Sequence, residues 1–148
     1  MRALLQRVTS ASVSSEGKLL GEIGPGLLVL LGITHDDDEE KAARLVAKTV
    51  KLRIFGDEQG KMNRSLLDVD GSLLVISQFT LFANARSGNR PSYSDAARPD
   101  HAAPLVDRFV ELAREQGVTV ETGEFGADMQ VSLLNDGPVT ILLDTDEL

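Results

Sequence analysis

Leu19-Leu20-Gly21-Glu22-Ile23, Gly24-Pro25-Gly26 and Leu27-Leu28-Val29-Leu30-Leu31-Gly32-Ile33 follow one another without a break near the start of the chain. The outer runs are short and apolar, and the Gly-Pro-Gly between them has the chemistry of a chain reversal. Residues 27–31 lack the polar alternation of a half-exposed strand, so this segment is expected to be buried on both faces.

Upstream, residues 3–8 and the alternating Ala11-Ser12-Val13-Ser14 read as further strands, making a meander or hairpin set with residues 19–23 and 27–33. Downstream, Ala42, Leu45, Val46, Thr49 and Val50 have the spacing of one helix face. The five acids Asp36 to Glu40 are expected in the first turn of that helix, where the dipole and free N–H groups favour anions, with Lys41, Arg44, Lys48 and Lys51 in later turns. Capping explains this acidic run better than metal binding does, and the adjacent His35 reads as a surface turn residue. A second helix is expected over residues 101–116, with Ala102, Val106, Phe109, Val110 and Ala113 on one face, Pro104 in its first turn, His101 as its capping residue and Gly117 as its stop. Residues 73–81, 118–122, 129–134 and 139–143 read as strands. Two helices cannot cover both faces of so many strands, so the expected fold is α+β. It is a single domain over residues 1–148 with three layers, β/β/α, mixed sheets stacked and the helices on one outer side.

The chain has 148 residues, 42% hydrophobic and 26% charged, which excludes disorder and collagen-like repeats. Its longest uninterrupted apolar run is 5 residues, against roughly 18 for a membrane span, and Arg2 and Arg7 bracket too few apolar residues for a secretory signal. A cytoplasmic protein with no membrane partner is expected. With no cysteine there is no thiolate chemistry, and two histidines are too few for a histidine-rich metal site, so neither metal nor cofactor is expected. The net charge of −8 argues against coating long nucleic acid, and no DNA partner is expected. The acidity is concentrated in the last third, however: residues 51–101 carry a net +1 and residues 102–148 a net −8, so the middle of the chain can still meet a few phosphates.

Three polar segments are candidates for chemistry. In Ser77-Gln78-Phe79-Thr80-Leu81 the hydroxyls suggest a nucleophile, but no Gly-x-Ser-x-Gly and no neighbouring histidine accompany them. A strand end does supply free backbone N–H groups able to stabilise an oxyanion. Asn135-Asp136-Gly137-Pro138-Val139-Thr140 lies between two apolar strands and has the composition of a turn. Between the two lies Arg86-Ser87-Gly88-Asn89-Arg90-Pro91-Ser92-Tyr93-Ser94, which either grips a phosphate, stacks a base, or is a solvated connection.

The first two segments together resemble the paired signature of the D-aminoacyl-tRNA deacylases. The resemblance extends through residues 1–8, 60–63, 88–92 and 122–123, and so over essentially the whole chain. It implies a homodimer that hydrolyses the ester between a D-amino acid and the terminal adenosine of tRNA, a quality-control step in translation. It further implies that Gly137-Pro138 is a cis dipeptide inserted into the partner's pocket, with its carbonyl oxygens facing the substrate's α-amino group and excluding L-amino acids. Ser77, Gln78, Phe79 and Thr80 then correspond to the catalytic wall, Phe79 and Thr80 acting through backbone amides. The expected partner is the tRNA acceptor end carrying a D-amino acid or glycine. Two other readings stay open on the residues alone: a non-enzymatic RNA-end or nucleotide-binding protein of the same fold, and an esterase with Thr80 as nucleophile.

Overall fold

Residues 27–33 are buried, apart from the half-buried Leu30, as their composition requires, and each neighbouring element is placed by which face of this strand it covers. The computed structural model describes residues 1–148. Its elements are β1 (Arg2–Ser15), β2 (Lys18–Ile23), β3 (Gly26–Gly32), α1 (Glu39–Lys51), a small hairpin of β4 (Phe55–Gly56) and β5 (Met62–Arg64), β6 (Ser72–Ser77), a 3-10 turn (Phe79–Phe82), α2 (Pro99–Glu115), β7 (Val120–Thr122), β8 (Gln130–Asp144) and a final 3-10 turn (Thr145–Glu147). The main sheet runs β2-β1-β3-β6-β7, with β8 along the other side of β1. The pairs β3–β6 and β6–β7 are parallel, and those involving β1 are antiparallel.

Alternation along β3 separates two cores. Leu27, Val29 and Leu31, with Ala3, Leu5, Leu73 and Val75, face the two helices. Leu28, with Val8, Ala11, Val13, Ile23, Leu74 and Ile76, faces the other way, toward a layer built by β2, the far half of β1 and the start of β8. The α+β class and the three layers agree with expectation, with one correction: the two β layers are not separate sheets. The strand β1 runs unbroken through both, pairing with β3 over Arg2–Val8 and with β2 over Ala11–Ser15. Along β1 the side that faces this second core changes parity between Val8 and Ala11, where its register with β8 shifts by one residue at Thr9. Bulges of this kind bend a strand and re-aim its side chains.

Three further corrections concern boundaries. Residues 3–8 and 11–14 are one strand, as are residues 129–134 and 139–143, because each long strand pairs with the other across the local turn signals. The acidic run is divided. Asp38 is the N-cap of α1, accepting from Lys41 N–H at 2.9 Å, and only Glu39 and Glu40 lie in the first turn. Asp37 is buried, accepting from the Thr34 N–H at 2.7 Å and the Met1 ammonium at 2.8 Å. Helix α2 starts two residues early at Pro99, which puts Pro104 in its second turn. His101 does not cap it: its Nε2 donates to the Asp37 carbonyl at 2.9 Å. No helix is long and apolar enough to cross a membrane.

Candidate active site

The strand expected over residues 73–81 ends at Ser77, and the chain then tightens into the 3-10 turn Phe79–Phe82. Gly32 allows this turn to sit against β3, since a Cβ there would lie 3.1 Å from the Gln78 carbonyl oxygen and 3.2 Å from the Phe82 ring. The Gln78 N–H donates to the Leu31 carbonyl, Leu81 N–H to that of Gln78 and Ala83 N–H to that of Thr80. Phe79 and Thr80, as the first residues of the turn, have no acceptor within it for their own N–H groups. Arg2 anchors the same turn from below: Nη1 donates to the Leu81 carbonyl at 2.8 Å, Nε to Asp144 Oδ2 at 2.9 Å, and the guanidinium lies 4.5 Å from the Phe82 ring centroid.

A cavity of about 530 Å³ opens at this strand end. Ser77, Gln78 and Phe79 form one wall. Tyr93 and Ala97 come from the preceding loop, Ala102 and Val106 from α2, and Phe125, Ala127 and Met129 from the segment leading into β8. Phe79 is exposed and packs edge-on against Tyr93, ring centroids 5.1 Å apart. Gln78 Nε2 donates to Thr80 Oγ1. No histidine, carboxylate, lysine or arginine lines the cavity, and Tyr93 is its one titratable residue. His35 lies outside it, its Nε2 donating to the Ser94 carbonyl at 2.6 Å. Thr80, the next residue of the turn, does not line the cavity, and the wall offers amides, a hydroxyl and aromatic faces with nothing that would serve Thr80 as a general base.

Gly137 and Pro138 lie elsewhere. Gln6 pairs with Thr140 and Val8 with Asn135, so Asp136, Gly137, Pro138 and Val139 bulge from β8 opposite the single residue Arg7. The Gly137-Pro138 bond is cis. Asn135 Nδ2 closes the base of the bulge by donating to the Arg7 and Val139 carbonyls at 2.9 and 3.0 Å. The Arg7 guanidinium supports it from beneath, with Nε 3.2 Å from the Asp136 carbonyl and Nη1 2.7 Å from that of Ile54. Sequence reasoning assigned Arg7 and Asn135 no role, although both stand in the quoted motifs. Ser77 is level with Leu31, Ala3 and Leu143 across the sheet. Gly137 is therefore three strand spacings and about four residues away from Ser77, roughly 20 Å by ordinary sheet dimensions. Neither Gly137 nor Pro138 lines the cavity.

The Arg2–Asp144 anchor beneath the 3-10 turn has a pH signature. Burial alone would push Asp144 up, but the Asp146 N–H and the Arg2 guanidinium outweigh it and hold the carboxyl below its ordinary value. A depressed folded-state value contributes stability that is present above about pH 4, the unfolded carboxylate value, and lost as pH falls through the folded one. Asp144→Asn is expected to flatten the acid limb of a urea-midpoint-versus-pH profile; an unchanged limb would refute the assignment.

The family model for D-Tyr-tRNA(Tyr) deacylase matches residues 4–144. The chain is 60% identical to the D-aminoacyl-tRNA deacylase of Thermomicrobium roseum over 148 residues, covering 100% of this chain and 96% of the relative. It is 56% identical to that of Thermosipho africanus, covering 100% and 99%. Among solved structures, the c-Myc DNA Unwinding Element Binding Protein superposes with a TM-score of 0.91 at 40% identity, covering 97% of this chain and 98% of that one. A structure described as a probable eukaryotic D-amino acid tRNA deacylase gives 0.84 at 19% identity, covering 96% and 97%, a likeness of fold. A family match over nearly the whole length, on a fold whose two signature segments are a strand-end cavity wall and a cis Gly-Pro bulge, places this chain in the D-aminoacyl-tRNA deacylase family.

Proposed function

We propose that this D-aminoacyl-tRNA deacylase acts in the cytoplasm as a homodimer, and that Gly137-Pro138 of each protomer completes the cavity of the other. The separation of the two motifs within one chain carries this reading: the bulge is braced by Arg7 and Asn135, yet contributes nothing to its own cavity. The surface around it suits a second copy. Strand β8 pairs on one side only, is 15 residues long, and exposes Leu134 and Leu142. A long apolar edge is otherwise a template for uncontrolled pairing.

The substrate is the 3′-terminal adenosine of tRNA esterified with a D-amino acid or glycine. The aromatic and apolar walls at Phe79, Tyr93, Phe125 and Met129 suit a nucleobase. The ester is already activated by its α-ammonium and the neighbouring ribose hydroxyl, so positioning and charge stabilisation suffice. Water adds to the ester carbonyl carbon, and the Phe79 and Thr80 N–H groups receive the negative oxygen. Ser77 and Gln78 complete the wall. The carbon–oxygen bond to the ribose then breaks, the leaving oxygen takes the proton given up by the attacking water, and free amino acid and tRNA result. The partner's Gly137 and Pro138 carbonyls accept from the α-ammonium and exclude an L side chain.

The test is hydrolysis of D-alanyl-tRNA by wild type and by Thr80→Ala. Wild type should release D-alanine, and Thr80→Ala should stay within about tenfold, because the backbone N–H remains. A loss of about 10⁴-fold or more in a folded variant, of the order seen when a true nucleophile is removed, would restore the nucleophile reading. Binding of the charged tRNA with no hydrolysis would make the protein a binder of RNA ends.

A further inference from the structure

The loop between the 3-10 turn and α2 takes no part in the cavity beyond Tyr93, Ala96 and Ala97, yet it is built rather than loose. Asn84 and Ser92 exchange two backbone hydrogen bonds of 2.8 Å, closing a tip over residues 85–91. Asn84 Oδ1 accepts from the Arg86 N–H at 3.0 Å, and Gly88 turns the tip at φ +72°. The tip carries Arg86 and Arg90, no acid, and both side chains are exposed. Every other arginine of the chain is engaged by a carboxylate, a side-chain amide or a backbone carbonyl. Arg86 and Arg90 have no such partner. In a chain of net charge −8, both free guanidinium groups therefore stand on one closed tip. Two residues beyond that tip, Tyr93 packs on Phe79 at the cavity rim.

We infer that this tip is a phosphate clamp, Arg86 and Arg90 gripping the sugar–phosphate backbone just 5′ of the terminal nucleotide. The inference rests on the proposed substrate, a nucleotide chain whose last residue enters the cavity. Guanidinium groups match phosphate oxygens in charge and geometry, and two contacts to a single strand contribute about −1.4 to the slope of log affinity against log salt. The clamp also explains how an acidic protein holds RNA: it needs local positive charge at the acceptor end and no basic face elsewhere.

The experiment compares wild type, Arg86→Gln/Arg90→Gln and Arg86→Lys/Arg90→Lys on two substrates, D-alanyl-tRNA and 3′-O-(D-alanyl)adenosine, which lacks every phosphate. The glutamine variant should lose about tenfold or more in kcat/KM on the tRNA at low salt, and most of the salt dependence with it. On the nucleoside ester it should match wild type, and the lysine variant should recover much of the tRNA rate. Equal losses on both substrates would make the tip a structural support, and no loss on tRNA would make it a solvated connection. Either result overturns the clamp. Failure of wild type on both substrates would instead overturn the proposed function, a separate outcome.

Discussion

Gly137→Val is expected to lower the rate of D-alanyl-tRNA hydrolysis by about a hundredfold or more while leaving the fold and the proposed dimer intact, and a second inactive variant should rescue it. Gly137 has φ +123°, a conformation that L side chains rarely adopt, and a Cβ there would lie 2.8 Å from Arg7 Nη2 and 2.9 Å from Val139 Cγ2. Relief of those contacts displaces the bulge, and a displacement near 1 Å at a positioning group costs about 10²-fold. The second variant, Ala127→Trp, fills the cavity from its rim and is expected to be inactive by itself. Subunits exchanged between the two form mixed dimers in which the Ala127→Trp protomer offers an intact bulge to the open cavity of the Gly137→Val protomer. Half the dimers are mixed and each has one working site of two, so about a quarter of the wild-type rate should return. Separate populations, mixed without exchange, should show none of it. No recovery after verified exchange would mean that each bulge serves its own chain. An active monomer by light scattering would remove the shared site altogether.

What the residues showed in advance divides by the range of the forces involved. The helix faces were legible because a period of 3.6 is a local property: every position assigned to the inner face of α1 and α2 is buried. The double burial of β3 was equally local, written in consecutive apolar residues. The continuity of β1 and β8 was not legible, since Thr9-Ser10 and Asn135-Asp136-Gly137-Pro138 look like interruptions until each strand meets its partner more than a hundred residues away. Pairing over the whole length then overrides the turn signals. The same division holds at the site. Ser77 to Thr80 and Gly137-Pro138 stand out as short motifs, whereas the walls at Tyr93, at Ala102 and Val106, and at Phe125 and Met129 come from three segments joined to the motif by packing alone. The role of Arg7 was hidden for a related reason. An arginine near the start of a strand has no visible partner in sequence, and its acceptors at Ile54 and Asp136 lie 47 and 129 residues away.

Chirality gives the other large effect. On the proposed reading the bulge offers the substrate the carbonyls of Gly137 and Pro138, and glycine and proline carry no group able to recognise many different side chains. Selection among amino acids must then act by exclusion. If, as proposed, the partner's bulge holds the α-ammonium and the Phe79 and Thr80 amides hold the ester carbonyl, two directions remain at the α-carbon. One leads to open space and admits a D side chain of almost any size. In that arrangement the other leads into the bulge backbone, which Arg7 and Asn135 hold in place, so a methyl group there is expected to clash. Rejecting a wrong partner by a built-in clash needs no contact with the right one. A clash of about 4 kcal/mol or more with a braced backbone corresponds to a rate ratio of about a thousandfold. Glycine has no group in the forbidden direction and should be cleaved. Single-turnover assays on tRNAs charged with D-alanine, L-alanine and glycine should therefore give fast, near-absent and appreciable hydrolysis in that order. Arg7→Ala, which removes the support beneath the bulge, should slow D-alanine and narrow the D-to-L ratio together. Comparable D and L rates in wild type, or glycine protected as fully as L-alanine, would show that selection does not work by exclusion.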